Sequence, residues 1–387
     1  MRQALINARV HHQHAWLTDV VVLLNGEKIE SIVSVNEFSA EMSSIDLNGG
    51  YLVPGFFDTQ VNGGAGVLLN DQPSVAGMAA IARAHLTFGT TAMLPTLISD
   101  ELAVVEQCLN CLNEALDSVP SVQGLHLEGP FLNAQRKGVH NDDVFCSLNE
   151  ENIKLFQEKR RGRLLLTLAP EQNSSSYIKQ LVDQGLVIAA GHTAANFEQT
   201  QAALKAGLSS FTHLYNAMTP LNSREPGVVG AALNDKESWV SIIVDGYHVH
   251  DASLKLALAA KPRGKVVLVT DAMPSVGAKE KSFYLNGELI QAREGRCATA
   301  DNVLAGSDLD MLSALRNCVE RLDIELFEAV NMASLYPAQM MSLDHKLGSI
   351  AKGRDASLLH LDKDLNLQEL WQKGRYYALD KDGLLND

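Results

Sequence analysis

From residue 51 onward, short apolar runs alternate with longer stretches in which apolar positions recur every three or four residues. Short runs rich in β-branched residues and bounded by turn signals read as buried strands; the longer stretches read as amphipathic helices. The strand runs end near Asn62, Thr96, Glu128, Ala169, His192, His213, Asp245 and Asp271. Helices are predicted between them over 74–88, 100–116, 150–160, 174–184, 196–206 and 251–260, with 308–322 after the last strand. The connection at 226–234 is too short to read convincingly as a helix. Gly89, Gly185 and Gly207 stand where helix C-caps are expected. Eight strands alternating with helices predict a closed parallel (β/α)8 TIM-type barrel. An open doubly wound sheet shares much of this pattern, but polar residues at nearly every strand end favour the barrel.

The flanks carry a different period. ALINARV and DVVVLLNGEKIESIVSV alternate in short runs, with turn signals at Asn25-Gly26 and Asn48-Gly49-Gly50, and residues 347–378 repeat the style. Neither flank can bury a good core alone. Residues 1–50 plus 347–387 are therefore predicted to combine into a small β-sandwich beside a barrel of residues 51–346. SFYLNGELIQAREGRCATA, at 282–300, reads as a β-hairpin turned by Asn286-Gly287 and placed to cover the active face.

Composition narrows the partners. The 387 residues are 46% hydrophobic, ample for a large core, and the net charge of −14 argues against nucleic acid or an anionic membrane. An anionic substrate would have to be caught by local cations. The cysteines (Cys108, Cys111, Cys146, Cys297 and Cys318) lack small-domain disulfide spacing, and the C-x-x-C at 108–111 lies in a predicted helix, where packing explains it. MRQALINARV has no long apolar core of a signal peptide, and no run approaches a membrane span. A cytoplasmic, reducing setting is expected.

The strand ends carry the chemistry. In a barrel those ends converge on one face. His192 (AAGHT) and His213 (FTHLYNAM) are one strand–helix unit apart, and Glu128 (HLEGPF) comes from a strand two units earlier. Two imidazoles and a carboxylate leave an open coordination position, as in hydrolytic zinc sites. Each histidine alone could instead cap a strand or bond a backbone carbonyl; the three together favour metal binding. Asp271 (VTDAMPS) would sit beside the ion, where it could take a proton from water and return it to a leaving group. A turn or N-cap aspartate is the structural alternative.

The segments PGFFDTQVNGG, GLHLEGPFLN, KGVHN, GHTAA, THLYNAMTPL, REPGVVGAAL, DGYHV, VTDAM, LAGSDLDM and GSIAKGRDASLLHLD span nearly the whole chain. In these motifs the chain resembles the N-acetylglucosamine-6-phosphate deacetylase family of the amidohydrolase superfamily. Many superfamily members carry H-x-H on the first strand, where this chain has Gln60-Val61-Asn62. Amides are poor ligands beside imidazole, so Gln60 and Asn62 mark a vestigial second-metal position and one divalent ion per subunit is expected. Zn²⁺ suits the ligand set best, with Fe²⁺, Co²⁺ and Mn²⁺ as alternatives.

The resemblance implies deacetylation of N-acetylglucosamine 6-phosphate to glucosamine 6-phosphate and acetate, with Asp271 and His140 as catalytic residues. It implies substrate contacts from Val139, His140, Asn216, Ala217, Leu304, Ala305 and Gly306, with Arg224 and His248 gripping the phosphate. Arginine presents a forked donor array suited to phosphate. In the family this arginine crosses a subunit interface, implying a homodimer or homotetramer. His140 could equally be a solvated loop residue, and Arg224 could pair with Glu225. The rivals are N-acetylgalactosamine 6-phosphate as substrate, a dihydroorotase-like amide hydrolase, and a non-catalytic sugar-phosphate binding protein.

Overall fold

The computed structural model describes residues 2–39, 42–157, 161–379 and 385–386. Eight parallel strands form its centre: β1 (Phe56–Val61), β2 (Thr90–Ile98), β3 (Gly124–Glu128), β4 (Arg163–Leu168), β5 (Val187–Ala190), β6 (Ser210–Phe211), β7 (Trp239–Ile242) and β8 (Val266–Leu268). Each pairs with its sequence neighbour, in registers such as Thr96↔His126, Leu125↔Leu164 and Val240↔Val266. Just beyond the strand ends β1 and β8 meet. Val61 bridges Ala272 in parallel, the Asp271 N–H donates to Gln60 O at 3.0 Å, and the Asn62 N–H donates to Ala272 O at 2.9 Å. Every residue of β1, β2 and β3 is buried. A strand covered on both faces loses the alternation of an exposed one, which is why these segments read as continuous apolar runs.

Helices α1 (Val75–Leu86), α2 (Leu102–Ser118), α3 (Ser175–Asp183), α4 (Phe197–Lys205), α5 (Gly227–Asn234), α6 (Asp251–Ala260) and α7 (Met311–Leu322) lie between or after the strands. Side chains of Ser74, Ser174 and Asn196 cap α1, α3 and α4 by accepting first-turn N–H groups. Two helical expectations are corrected. The connection at 226–234 is a helix, α5, with Gly227 to Ala232 all buried. A helix covered on nearly every side presents no polar face for a periodicity argument to detect. The segment expected as a helix over 150–160 is instead a 3-10 turn, Asn152–Phe156. The Asn149 side chain accepts the N–H groups of Glu151 and Asn152, while Asn152 Oδ1 accepts that of Asn149. Such local bonds compete with the α-helical ladder. Positions 158–160 of that expectation lie outside the described residues.

The chain ends build two further sheets. Lys28–Ser34, Val20–Asn25, Arg2–Ile6 and Ser44–Asp46 form one, in that order. The other runs Leu385–Asn386, Arg375–Leu379, Leu367–Gln372, Leu358–Leu361, Tyr51–Pro54, Arg9–His12 and Ala15–Leu17, mixing both ends of the chain. Leu5, Val22, Leu24 and Ile29 of the first pack with Val10, Leu52, Leu358 and Trp371 of the second in a core separate from the barrel's. The fold is thus a (β/α)8 barrel with a β-sandwich built from both chain ends. After β8 the expected hairpin is larger than its sequence suggests. Ser282–Leu285, Glu288–Arg293, Arg296–Ala298 and Leu304–Ser307 make a four-stranded antiparallel sheet. Asn286 and Gly287 turn its first hairpin with φ of 52° and 80°, the pair of positive values a type I′ turn requires.

Candidate active site

Glu128 is the last residue of β3, whereas His192, His213 and Asp271 lie just past the ends of β5, β6 and β8. All three take a left-handed backbone, with φ of 48°, 33° and 54°. For an L-residue that conformation costs about 1–2 kcal/mol, and such strain concentrates where function holds it in place. Glu128 Oε1 stands 2.9 Å from His213 Nε2 and 3.2 Å from His192 Nε2, and the two imidazole nitrogens are 3.1 Å apart.

The hydrogen bonds around these groups set their proton positions. His192 Nδ1 lies 2.9 Å from Arg136 O. A carbonyl only accepts, so Nδ1 carries the proton and Nε2 presents a lone pair to the cluster. Burial alone would raise the Glu128 carboxyl, but the imidazoles of His192 and His213 beside it hold it well below the usual range. Burial opposes charge on His213 too, yet its bond to Glu128 raises its pKa overall. Three electron-pair donors converging in a buried site call for a cation. Their separations match the edges of a tetrahedron around a zinc-sized ion, about 3.3 Å for 2.0–2.1 Å bonds. Donor set and spacing therefore fit a divalent metal.

His140 also approaches, and Glu128, His140 and His192 have ligand atoms within 4.8 Å of one another. His140 Nε2 is 4.0 Å from Glu128 Oε2, farther than either other histidine. Its Nδ1 accepts the Ser99 backbone N–H at 3.3 Å, which leaves the proton on Nε2. Burial lowers its pKa to about 3. His140 is thus a neutral donor aimed at the cluster, and His213 is the better third ligand. Asp271 is pushed up from the ordinary carboxyl range by burial and then by the charge of Glu128.

These groups line a cavity of about 260 Å³ together with Asn62, Val139, Asn216, Ala217, His248, Leu304 and Gly306. His248 Nδ1 donates to Asp245 Oδ2 at 2.6 Å, which fixes its ring. Gly306 has φ of +57°, and a Cβ there would meet Met273 Cγ at 2.4 Å and Asp271 O at 2.9 Å. Only glycine lets this strand pass so close. Asn286 Nδ2 donates to Val139 O at 2.8 Å, tying the four-stranded sheet to the loop that carries His140.

Two expected residues stand elsewhere. Ala305 is fully buried beneath the cavity wall, between Leu304 and Gly306, which do line it. Arg224 is exposed and does not reach the cavity of its own chain. Nor does it pair with Glu225, whose Oε1 accepts the N–H groups of Phe197 and Gly227 instead. Sequence reasoning missed Ile98, Gly138, Met273 and Val303 in the wall, and Ser99, Arg136 and Asp245 behind it. Of these, only Asp245 carried a signal, a carboxylate at a strand end.

The family model described as the amidohydrolase family matches residues 51–383, the stretch that carries the Glu/His/His cluster and the aspartate after β8. The chain belongs to the amidohydrolase family. Residues 3–52 match a second model, the NagA composite domain. A relative from Shewanella sp. (strain ANA-3), an N-acetylgalactosamine-6-phosphate deacetylase, is 40% identical over 89% of this chain and 88% of its own. The N-acetylglucosamine-6-phosphate deacetylase of Haemophilus influenzae is 36% identical over 92% of this chain and 94% of its own. The crystal structure of N-acetylglucosamine-6-phosphate deacetylase from Pasteurella multocida superposes with a TM-score of 0.94. It is 33% identical and covers 98% of this amidohydrolase and 100% of its own chain.

Proposed function

We propose that this amidohydrolase removes the acetyl group of N-acetylglucosamine 6-phosphate, releasing glucosamine 6-phosphate and acetate, in amino-sugar catabolism. The observation that carries this reading is the convergence of Glu128, His192 and His213 within 3.2 Å, on a cavity that Asp271 and His140 share. Glu128, His192 and His213 would hold one divalent metal per subunit, Zn²⁺ before Fe²⁺, Co²⁺ or Mn²⁺. When bound, the ion would supply Lewis-acid activation of water and amide.

The chain's own residues do the rest. Asp271 takes the proton of the attacking water and passes it to the nitrogen that departs. His140, neutral with its proton on Nε2, donates to the oxygen of the acetamide carbonyl as negative charge develops there. Losing one such donor typically costs about 3–4 kcal/mol. Val139, Asn216, Ala217, Leu304 and Gly306 shape the sugar subsite, with Ala305 packing beneath it. His248 meets the phosphate from within the cavity. Arg224, exposed on its own subunit, would reach a partner's phosphate in a homodimer or homotetramer.

The second reading changes only the sugar. The 40% identity to a deacetylase of N-acetylgalactosamine 6-phosphate favours testing that epimer alongside. No helix of the described residues is long and apolar enough to cross a membrane; with free cysteines and a phosphorylated substrate, a cytoplasmic setting fits.

The test is acetate release from both N-acetylhexosamine 6-phosphates and their unphosphorylated sugars, using protein of measured metal content. The expected result is turnover of phosphorylated substrates, N-acetylglucosamine 6-phosphate foremost. Binding without acetate release would mark a sugar-phosphate sensor instead.

A further inference from the structure

Gln60, in β1, and Asn62, just past its end, occupy the two positions that looked vestigial, yet their amides are among the most engaged groups in the site. Asn62 Nδ2 lies 2.7 Å from Asp271 Oδ1, and Gln60 Nε2 lies 3.0 Å from the same oxygen. Gln60 Nε2 also lies 3.2 Å from each oxygen of Glu128. The orientation of each amide follows from its neighbours. A carboxylate offers only acceptors, so an amide turned the other way would aim its oxygen at oxygen.

We infer that Gln60 and Asn62 are positioning residues for the proposed deacetylation: their NH₂ groups fix Asp271 Oδ1 and leave Oδ2 as the oxygen that carries the proton. Three features of the site lead there. Both donors converge on Oδ1, whereas Oδ2 makes no hydrogen bond to the described residues, and Asp271 lines the cavity. Two carboxylates of like charge share a buried site, and Gln60 Nε2 stands between them as a shared donor, holding each in place against their repulsion. Finally, the arrangement is costly. Gln60 and Asn62 are 1% and 2% exposed, and Gln60 Oε1 and Asn62 Oδ1 find no partner among the described residues. Apolar side chains of the same size would avoid burying those oxygens but would leave Asp271 Oδ1 without its two donors, so the amides serve the aspartate.

The seam of the barrel enforces the geometry. Gln60 O accepts the Asp271 N–H at 3.0 Å, so the backbone that presents the aspartate is bonded to the residue whose side chain aims it. An error in the β1–β8 register would separate donor from acceptor.

The inference rests on the deacetylase reading, and wild-type enzyme is the control that separates the two. Asn62→Leu and Gln60→Met are compared with wild type for kcat, KM, bound metal, the absorption spectrum of the Co²⁺-substituted protein, and Tm. Each variant should lose roughly 10- to 100-fold in kcat, the effect of one hydrogen bond to a charged group. KM should stay within about threefold, and in Asn62→Leu, whose amide donates to Asp271 and not to Glu128, metal stoichiometry and cobalt spectrum should be unchanged. The double variant should lose less than the product of the singles, because both donors act through one oxygen. Wild-type kcat in both single variants, or a kcat loss in Asn62→Leu that tracks loss of metal or of Tm, would overturn the assignment. Absence of acetate release by metal-replete wild type would overturn the deacetylase reading itself, and this inference with it.

Discussion

Asp58 Oδ2 accepts the hydroxyl of Thr270 at 2.5 Å, joining the first barrel strand to the residue before Asp271. Asp58 Oδ1 also accepts the Gln60 N–H at 3.1 Å. One buried carboxyl therefore braces both sides of the seam on which the aspartate and its amide donors meet.

Burial pushes the Asp58 carboxyl up to about 7, against hydrogen bonds from Thr270 and Gln60 that lower it. In an unfolded chain the group titrates near 3.9. Between those values the folded state keeps a proton that the unfolded chain has lost, so stability falls as pH rises from about 4 to about 7. The full effect is on the order of 4 kcal/mol at about 1.4 kcal/mol per unit. Asp58→Asn should flatten this dependence in urea melts at pH 5 and pH 8. Identical pH dependence in both proteins would exclude Asp58 as the titrating group.

Asp271→Asn should keep the fold and the bound metal while losing about 100-fold or more in kcat, the usual weight of a general base. Acetate release measured beside metal analysis checks this. Near-normal turnover would assign the base elsewhere.

Chelation should lower Tm, because a ligand held only by the folded state stabilises it, by about 2.7 kcal/mol at a hundred times Kd. Zn²⁺ added back should restore the midpoint in wild type but not in His213→Ala, which lacks one of the converging donors. An unchanged midpoint after verified removal of the ion would contradict a site that links metal to folding.

Glu171, three residues past β4, gathers donors from three directions. Its Oε1 accepts Asn133 Nδ2 at 2.8 Å and the Ala194 N–H at 2.6 Å, and its Oε2 accepts the Thr193 hydroxyl at 2.5 Å. These contacts pin the loop directly after His192. Glu171→Ala should weaken metal affinity about 10- to 100-fold, as loss of ligand-orienting groups generally does. Competition with a chromophoric chelator measures it, and wild-type affinity in the variant would show that the loop holds His192 without Glu171.

Much of this was legible along the chain. Alternating apolar runs and amphipathic stretches predict the barrel because each strand and helix imposes its own period on local sequence. Glu128, His192, His213 and Asp271 stood out because ionisable residues closing apolar runs are costly unless they are used. The helix at Gly227–Asn234 escaped notice because its burial erased the polar face, and the turn at Asn152–Phe156 because asparagine side chains outcompeted the ladder.

What a chain determines by itself is what depends on neighbours in sequence: periods, caps, turns, and which residue types stand at strand ends. Tertiary structure decided what depends on neighbours in space. Arg136 O sets the tautomer of His192 from 56 residues away, Ser99 does so for His140 from 41, and Gln60 meets Asp271 across 211. No local pattern encodes those pairings, because they arise only when the barrel closes with β1 against β8 in one register. The candidate ligands were therefore readable as residues; their proton positions, and the service of Gln60 and Asn62 as donors, came from the closed ring.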